Sequence, residues 1–257
     1  MNLKDKISRY IITNTDKVKI NSKDICENDI FIALKGRRYH GNQFIKEAFK
    51  SGAKYCITDK KYNQSKIKEK IFYTDNMFSF LKALSIKKRS LFTGKIIGIT
   101  GSAGKTSLKE YLSFFLKKKY KVSSSIKSYN NKLGVMISVL NMNINSKFAI
   151  FELGTNNFFE IRGLTKLVKP SQIFITNILS THLENFKNKK NIAKEKSDIF
   201  NKNYNSNAEI LYFQMTTKEE KIINNIAKKH KIKRIIQTGK TGCDCYIKDI
   251  KEKNSKY

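Results

Sequence analysis

Proline is almost missing from this chain: among 257 residues only Pro170 occurs. Domain boundaries therefore cannot be read from Pro-rich linkers and must come from hydrophobic pattern. Cysteine is sparse as well. Cys26, Cys56, Cys243 and Cys245 are scattered except for the last two, and C-x-C alone lacks the second pair and the spacing of a zinc site, which leaves reduced thiols. No apolar run approaches the roughly 18 residues of a membrane span, so no membrane insertion is expected. The opening stretch MNLKDKISRYIITNTDKVKI interleaves charges with short apolar pairs and lacks the continuous apolar core of a secretion signal. A soluble, cytoplasmic protein is the expectation. Internal repeats and low-complexity tracts are lacking too.

Acidic residues are few: 21 Asp and Glu stand against 52 Lys and Arg, a net charge of +31. Such an excess can serve a nucleic acid by neutralising phosphates. The lysines, however, are spread through nearly every segment rather than gathered on one arm, and clusters such as KEYLSFFLKKKY and KNKKNIAKEK read as solvated helix faces and ends. This favours compositional drift over a nucleic-acid partner, and anionic small substrates gain from the field in either case. A basic, nucleotide-dependent nucleic-acid-binding protein stays as the alternative from another class.

At this length two domains are the default. DIFIALKG (29–36) reads as a strand ending in a turn, and NQFIKEAFKSGAKYCIT (42–58) as a helix closed by Gly52 and followed by a strand, with Phe44, Ala48 and Phe49 on its apolar face. A second helix is expected over 75–92, with Phe78, Leu81, Leu84 and Ser85 along one side, and TGK (93–95) makes the junction. The expected domains are thus 1–93 and 94–257.

From the junction the pattern becomes strand, turn, helix. KIIGIT is a short apolar run suited to a buried parallel strand, and TSLKEYLSFFLKKKY places Leu108, Tyr111, Leu112, Phe115 and Leu116 at helical spacing. Between them lies GITGSAGKTS (98–107), a glycine-rich loop in which Ile99 stands where the common G-x-x-x-x-G-K-[ST] pattern has its first glycine. In this context the N–H groups of Gly101, Ser102, Ala103, Gly104 and Ser107 and the helix N-terminus face one anion. Lys105 would reach the β and γ phosphates and Thr106 would offer its hydroxyl to Mg²⁺.

Two further strands end in residues a fold does not need. FAIFELG (148–154) carries Glu152 at its carboxyl end, and QIFITNILSTHLENF (172–186) runs as a strand to about Ile178 and then presents His182. Ligands of open α/β sheets bind beyond the carboxyl ends of the strands. Glu152 and His182 are therefore candidate ligands of a hard cation, a capping carboxylate and a structural histidine being the plainer alternatives. On a helix over NIAKEKSDIF (191–200), Ile192, Lys196, Ile199 and Phe200 share a stripe, so Lys196 either snorkels or has a partner, whereas Lys194 faces solvent.

The segments TGSAGKTS, YNNKLGV, FELGTNNFFEI, TNILSTHLENF and IAKEKSDIF, in this order and at these separations, resemble the Mur ligases of peptidoglycan synthesis. The amino-terminal stretch INSKDICENDIFIALKGRRYHGNQFIKEAFKSGAKYCIT is similar to the uridine-nucleotide-binding domain of that family. Ile99 is then in pattern, since these enzymes use a shortened G-x-x-G-K-[ST] loop. The resemblance implies an α/β architecture: a small N-terminal α/β domain that binds the UDP-sugar substrate, then a P-loop-type parallel-sheet ATP-binding domain. It implies ATP and Mg²⁺ as cofactors, and UDP-MurNAc-tripeptide and D-Ala-D-Ala as substrates joined through an acyl phosphate. Lys105 and Thr106 match phosphate and Mg²⁺ contacts, Glu152 and His182 metal ligands, and Lys196 the lysine these enzymes carbamylate into a further ligand. Asn130 and Asn131 match a pair near the γ-phosphate, Asn156 and Glu160 the substrate-binding segment after the metal glutamate, and Ser22 with Lys23 the uridine-side motif.

Departures from the family pattern are also visible. Ser128 stands for a common asparagine, Met136 for proline and Phe159 for the glycine before Glu-Ile. The Asn-Ala-Asp-type nucleotide motif expected in AEILYFQMTTKEE (208–220) lacks both its asparagine and its aspartate. GCDCYIKDIKEKNSKY matches the start of a strand pair that continues in relatives, so the resemblance implies a central domain incomplete at Tyr257 and no carboxyl-terminal ligase domain. A separately encoded ligase domain as partner follows as one expectation, and a non-catalytic nucleotide-binding remnant as the other.

Overall fold

Hydrophobic runs of four to six residues between turns set up short parallel strands, and the computed structural model shows two compact units built on that plan. It describes residues 1–36, 38–62, 65–215, 219–239, 242–246 and 248. In chain order the elements are α1 (Leu3–Thr13), β1 (Val18–Lys19), β2 (Ile30–Ala33), α2 (Ile45–Lys50), β3 (Tyr55–Thr58), β4 (Ile71–Tyr73) and α3 (Met77–Ser90). They continue with β5 (Lys95–Thr100), α4 (Lys105–Lys117), β6 (Val122–Ser124), α5 (Lys132–Asn141), β7 (Phe148–Glu152), α6 (Glu160–Val168) and β8 (Gln172–Ile175). The last are α7 (Leu183–Phe186), α8 (Lys189–Ser197), β9 (Ile210–Met215), α9 (Glu219–Lys229), β10 (Arg234–Gly239) and β11 (Cys245–Tyr246).

The first unit comprises Met1–Gly94, Tyr120–Tyr129 and Leu133–Ala149. Its sheet runs β1-β2-β3-β4, all parallel, with Ile30 opposite Tyr55 and Cys56 opposite Ile71. Ile25, Phe31, Ala33, Ile45, Ala48, Ala53 and Cys56 form one core cluster. Gly52 closes α2 with a positive φ of 99° as expected, a conformation glycine adopts freely. The apolar face of α2 is shifted from expectation: Gly41–Phe44 forms a 3₁₀ turn, so the α-helical period begins at Ile45 and leaves Phe44 exposed. On α3 the buried stripe is Met77, Leu81, Leu84, Ser85 and Lys88, and Phe78 points outward.

Lys88 extends an apolar stripe with a charge and is fully buried. Its Nζ donates to the carbonyls of Ile11 at 2.8 Å, Asn14 at 2.7 Å and Leu140 at 2.6 Å. One ammonium thus satisfies the carboxyl ends of α1 and α5, where backbone carbonyls lack intrahelical partners. Burial pushes its pKa down to about 8.

The second unit comprises Lys95–Lys119, Asn130–Lys132 and Ile150–Tyr257. Its strands lie in the order β11-β10-β9-β8-β5-β7, and the described pairs β11–β10, β10–β9, β9–β8 and β8–β5 are parallel. The α/β class and the parallel sheet expected from the sequence are what the structure shows. Of the stretch 208–220 expected to carry the nucleotide motif, 216–218 lie outside the described residues, as do 247 and 249–257 of the terminal segment.

Helix α4 differs from its sequence pattern. Lys109 and Ser113 are buried, whereas Tyr111 and Phe115 are 65% and 62% exposed. The rotation of α4 is set by its first turn: Lys105 and Thr106 face the glycine loop, and Lys109 and Ser113 follow them at helical spacing on the same side. The Lys118 ammonium covers the rings of Phe114 and Phe115 at 4.8 and 5.5 Å to their centroids. Strand β8 stops at Ile175, short of Ile178, because the backbone from Asn177 onward is engaged by the glycine loop.

Candidate active site

The glycine loop sits between the buried strand β5 and α4, at the carboxyl edge of the sheet. Gly101 has φ 145°, and a Cβ there would lie 1.8 Å from the Thr176 Oγ1. Gly104 takes φ 77° and caps α4. Both demand glycine for backbone reasons. The loop is pinned by the end of β8. The Asn177 carbonyl accepts from the Ser102 N–H at 3.1 Å, its side-chain oxygen from the Ala103 N–H at 2.9 Å, and the Thr176 hydroxyl donates to the Ala103 carbonyl at 2.5 Å.

Two lysines meet on this loop. Lys105 Nζ donates to the carbonyls of Gly101 at 2.9 Å and Ser102 at 3.3 Å, and Lys196 Nζ reaches the same Gly101 carbonyl at 3.0 Å. Burial holds the Lys105 pKa below its ordinary value, with Glu152 opposing the shift. Lys196 is 3% exposed and is pushed down to about 7, first by burial and then by the charge of Lys105, against a counter-pull from Glu195. Lys194, on another face of the same helix, is exposed as its position predicts.

Next to Lys105, the Thr106 hydroxyl donates to Glu152 Oε2 at 2.8 Å, and Asn130 Nδ2 donates to Glu152 Oε1 at 2.7 Å. Glu152 is 1% exposed at the end of β7. Gly154 fits against Asn130, whose side chain lies 2.7 Å from any Cβ placed there, and donates its N–H to the Asn130 carbonyl at 2.8 Å. A carboxylate and a hydroxyl in contact offer the hard oxygen donors that suit Mg²⁺. Among the described residues no three His, Cys, Asp or Glu side chains gather as a metal cluster.

The other sequence candidates are placed as follows. His182 caps α7 with φ 54°, is 43% exposed at its side chain, and has Glu184 as its ion-pair neighbour at 3.7 Å. Ser107 and Asn131 are exposed. Glu160 is turned onto its own loop, accepting from the N–H groups of Asn156 at 2.7 Å and Asn157 at 3.1 Å. Burial raises its pKa, but these hydrogen bonds outweigh it and hold the carboxyl below the usual range. The Asn156 carbonyl accepts from Asn185 Nδ2. Ser22 and Lys23 belong to the first unit, where the buried Ser22 hydroxyl donates to Glu47 at 3.2 Å and Lys23 is exposed.

Thr176 and Asn177, which hold the loop, and Glu195, which lies beside Lys196 on α8, were not expected from the sequence. A Thr-Asn pair directly after an apolar strand is a usable signal, because polar residues at a strand's carboxyl end face the ligand crevice. Glu195 carries no such signal, since Lys-Glu-Lys reads as a solvated helix face.

Fold and site together define an open α/β protein with a phosphate loop at the carboxyl edge of a parallel sheet. The chain belongs to the Mur ligase family: the family model described as Mur ligase middle domain matches residues 99–257, and that described as Mur ligase family, catalytic domain, matches residues 15–88. The UDP-N-acetylmuramoyl-tripeptide--D-alanyl-D-alanine ligase of Rickettsia prowazekii is 40% identical over 194 residues, covering 76% of this chain and 42% of that protein. Its counterpart in Buchnera aphidicola subsp. Baizongia pistaciae is 36% identical over 195 residues, covering 76% and 41%. The crystal structure of MurF ligase from Thermotoga maritima in complex with ADP superposes with a TM-score of 0.73 at 28% identity, covering 93% of this chain and 53% of that one. The chain therefore spans less than half the length of these two curated relatives.

Proposed function

We propose that this chain carries the substrate-binding and ATP-binding parts of a ligase that adds D-Ala-D-Ala to UDP-MurNAc-tripeptide in peptidoglycan precursor synthesis. The observation that carries the reading is the convergence of Lys105 and Lys196 on the Gly101 carbonyl, beside the Thr106–Glu152 contact. The family membership and the similarity to ligases of this name support it.

In this reading residues 1–93 bind the UDP-sugar, with Ser22 and Lys23 on the uridine side, and residues 94–257 bind ATP. Gly101 to Ser107 and the N-terminus of α4 hold the phosphates, Lys105 takes the β and γ oxygens, and Asn130 and Asn131 lie along the γ-phosphate. Thr106, Glu152, His182 and a carbamate on Lys196 would hold Mg²⁺, which when bound neutralises charge on the transferring phosphoryl group. With a pKa pushed down to about 7, Lys196 offers a neutral amine near neutrality. That amine attacks CO₂, a C–N bond forms as one C–O π pair moves to oxygen, and a proton leaves to solvent, which gives the carbamate anion.

The terminal carboxylate of the tripeptide takes the γ-phosphoryl group of ATP and ADP leaves. The amine of D-Ala-D-Ala then attacks the acyl phosphate, forms the amide with loss of a proton, and phosphate departs. A carboxylate needs this activation because its own oxygen is a poor leaving group. Asn156 and Glu160 flank the substrate in this scheme, and the soluble nucleotide substrates assign the reaction to the cytoplasm.

The test is phosphate release from ATP with UDP-MurNAc-tripeptide, with and without D-Ala-D-Ala, beside Lys105→Ala, and with and without a separately supplied carboxyl-terminal ligase domain. The proposal expects release that needs both substrates and is lost in the variant. Release equal to that of Lys105→Ala under every condition would end it.

A further inference from the structure

Glu195 is 3% exposed and lies one residue before Lys196 on α8. Its carboxylate points away from the phosphate loop, toward the start of α6. Oε2 accepts from the Phe159 N–H at 2.8 Å, and Oε1 accepts from the Ile161 N–H at 2.9 Å and from the Thr155 hydroxyl at 3.4 Å. These N–H groups open α6, where donors lack intrahelical partners and the helix dipole favours an anion.

Phe159 sits in the left-handed region with φ 70°, a conformation that suits glycine and strains a bulky side chain. Its amide is held there by the Glu195 oxygen. The segment it belongs to begins directly after Glu152, and Gly154 within it is tied to Asn130, which also holds Glu152. Adjacent residues of a helix project about 100° apart. Helix α8 is thereby fastened on two sides, by Glu195 to the segment 155–161 and by Lys196 to the Gly101 carbonyl.

We infer that Glu195 is a positioning residue: by clamping α8 to the strained turn that opens α6, it fixes where the Lys196 amine stands relative to Gly101 and Glu152. The clamp is a matter of hydrogen-bond acceptance rather than of charge at the reacting atoms. Its consequence for chemistry rests on the reading of Lys196 as the carbamylated ligand given above.

The test uses the intact chain and two readouts that do not depend on turnover: amide hydrogen exchange at Phe159 and Ile161, and the labelling rate of Lys196 by an amine-modifying reagent, read by peptide mass. In Glu195→Ala both amides lose at least tenfold in protection, and Lys196 labels at least tenfold faster, while exposed Lys194 and the exchange of β5 amides stay at wild-type rates. Glu195→Gln keeps one acceptor oxygen and sets an amide donor against the other N–H, so it restores protection at one of the two amides and leaves Lys196 labelling between the wild-type and alanine rates. Should Glu195→Ala not fold, Thr155→Val and Glu195→Gln carry the comparison, with smaller changes of the same sign. Unchanged amide protection in the alanine variant removes the clamp, and faster exchange with unchanged Lys196 labelling removes the positioning role. A ¹³C-bicarbonate carbamate signal in the wild type is read separately: its absence ends the carbamate reading of Lys196 and leaves the clamp itself standing.

Discussion

Lys105 and Lys196 donate to the same acceptor, the carbonyl oxygen of Gly101, at 2.9 and 3.0 Å. When both are protonated the two groups repel each other, which adds to burial in pushing the Lys196 amine down to about 7, and an anion bound beside them relieves that repulsion. The residue at the centre of this shared contact must be glycine.

Gly101→Ala places a Cβ 1.8 Å from the Thr176 hydroxyl oxygen and 3.0 Å from the Thr176 backbone nitrogen, at a φ of 145° that L residues avoid. The loop must shift, and ATP affinity measured by calorimetry should fall at least tenfold. Thermal stability should fall as well, because Gly101 is buried and the added Cβ has to displace Thr176 at a strained backbone position.

Phe159→Gly should stabilise the chain by about 0.5–1 kcal/mol. Relief of the left-handed strain outweighs the backbone entropy glycine adds to the unfolded state. The ring is 62% exposed, so little packing is lost, although its contact with Arg162 at 4.5 Å disappears. Urea denaturation of the two chains measures the difference.

Lys88 gives a pH signature. Its pKa of about 8 lies below the ordinary 10.5, so between these values the unfolded chain binds more protons than the folded one. Stability contributed at this position therefore rises as pH goes from 8 to 10.5 and is lowest below 8. Lys88→Met removes that rise. It also leaves three carbonyls without their donor and should destabilise the first unit by about 2 kcal/mol at pH 7. Denaturation midpoints at pH 7 and 9.5 for both chains test both statements.

The helix α4 separates pattern from packing. Tyr111→Ser or Phe115→Ser should cost less than about 1 kcal/mol, whereas Ser113→Leu should cost about 1–3 kcal/mol by overpacking a filled position. The reverse order in melting experiments would show that the apolar stripe, not Lys109 and Ser113, faces the sheet.

The strand–loop–helix unit, Glu152 at its strand end and Lys196 on a buried stripe are legible in the sequence because each follows a short-range rule of spacing. Legibility fails where a local period meets a long-range constraint. The stripe of Leu108, Tyr111 and Phe115 is a valid helical period, yet the glycine loop fixes the rotation of α4 and turns Tyr111 and Phe115 outward. Lys88 and Glu195 look like surface charges in any window. Their partners, Ile11 and Leu140 for the lysine and Phe159 and Ile161 for the glutamate, are remote in the chain and meet them only in the fold. The resemblance leads one to expect glycine where Phe159 stands, and the left-handed backbone that suits glycine there becomes visible only in the structure.

Every function proposed for this chain requires that Lys105, Thr106 and Glu152 form a nucleotide site. Calorimetric titration of the chain with ATP in the presence of Mg²⁺, beside Lys105→Ala and Glu152→Gln, decides whether they do. A single saturable site is expected, weakened at least tenfold in Lys105→Ala and stripped of its Mg²⁺ dependence in Glu152→Gln. Equal affinity in all three chains, or binding that falls with salt alone, would contradict it.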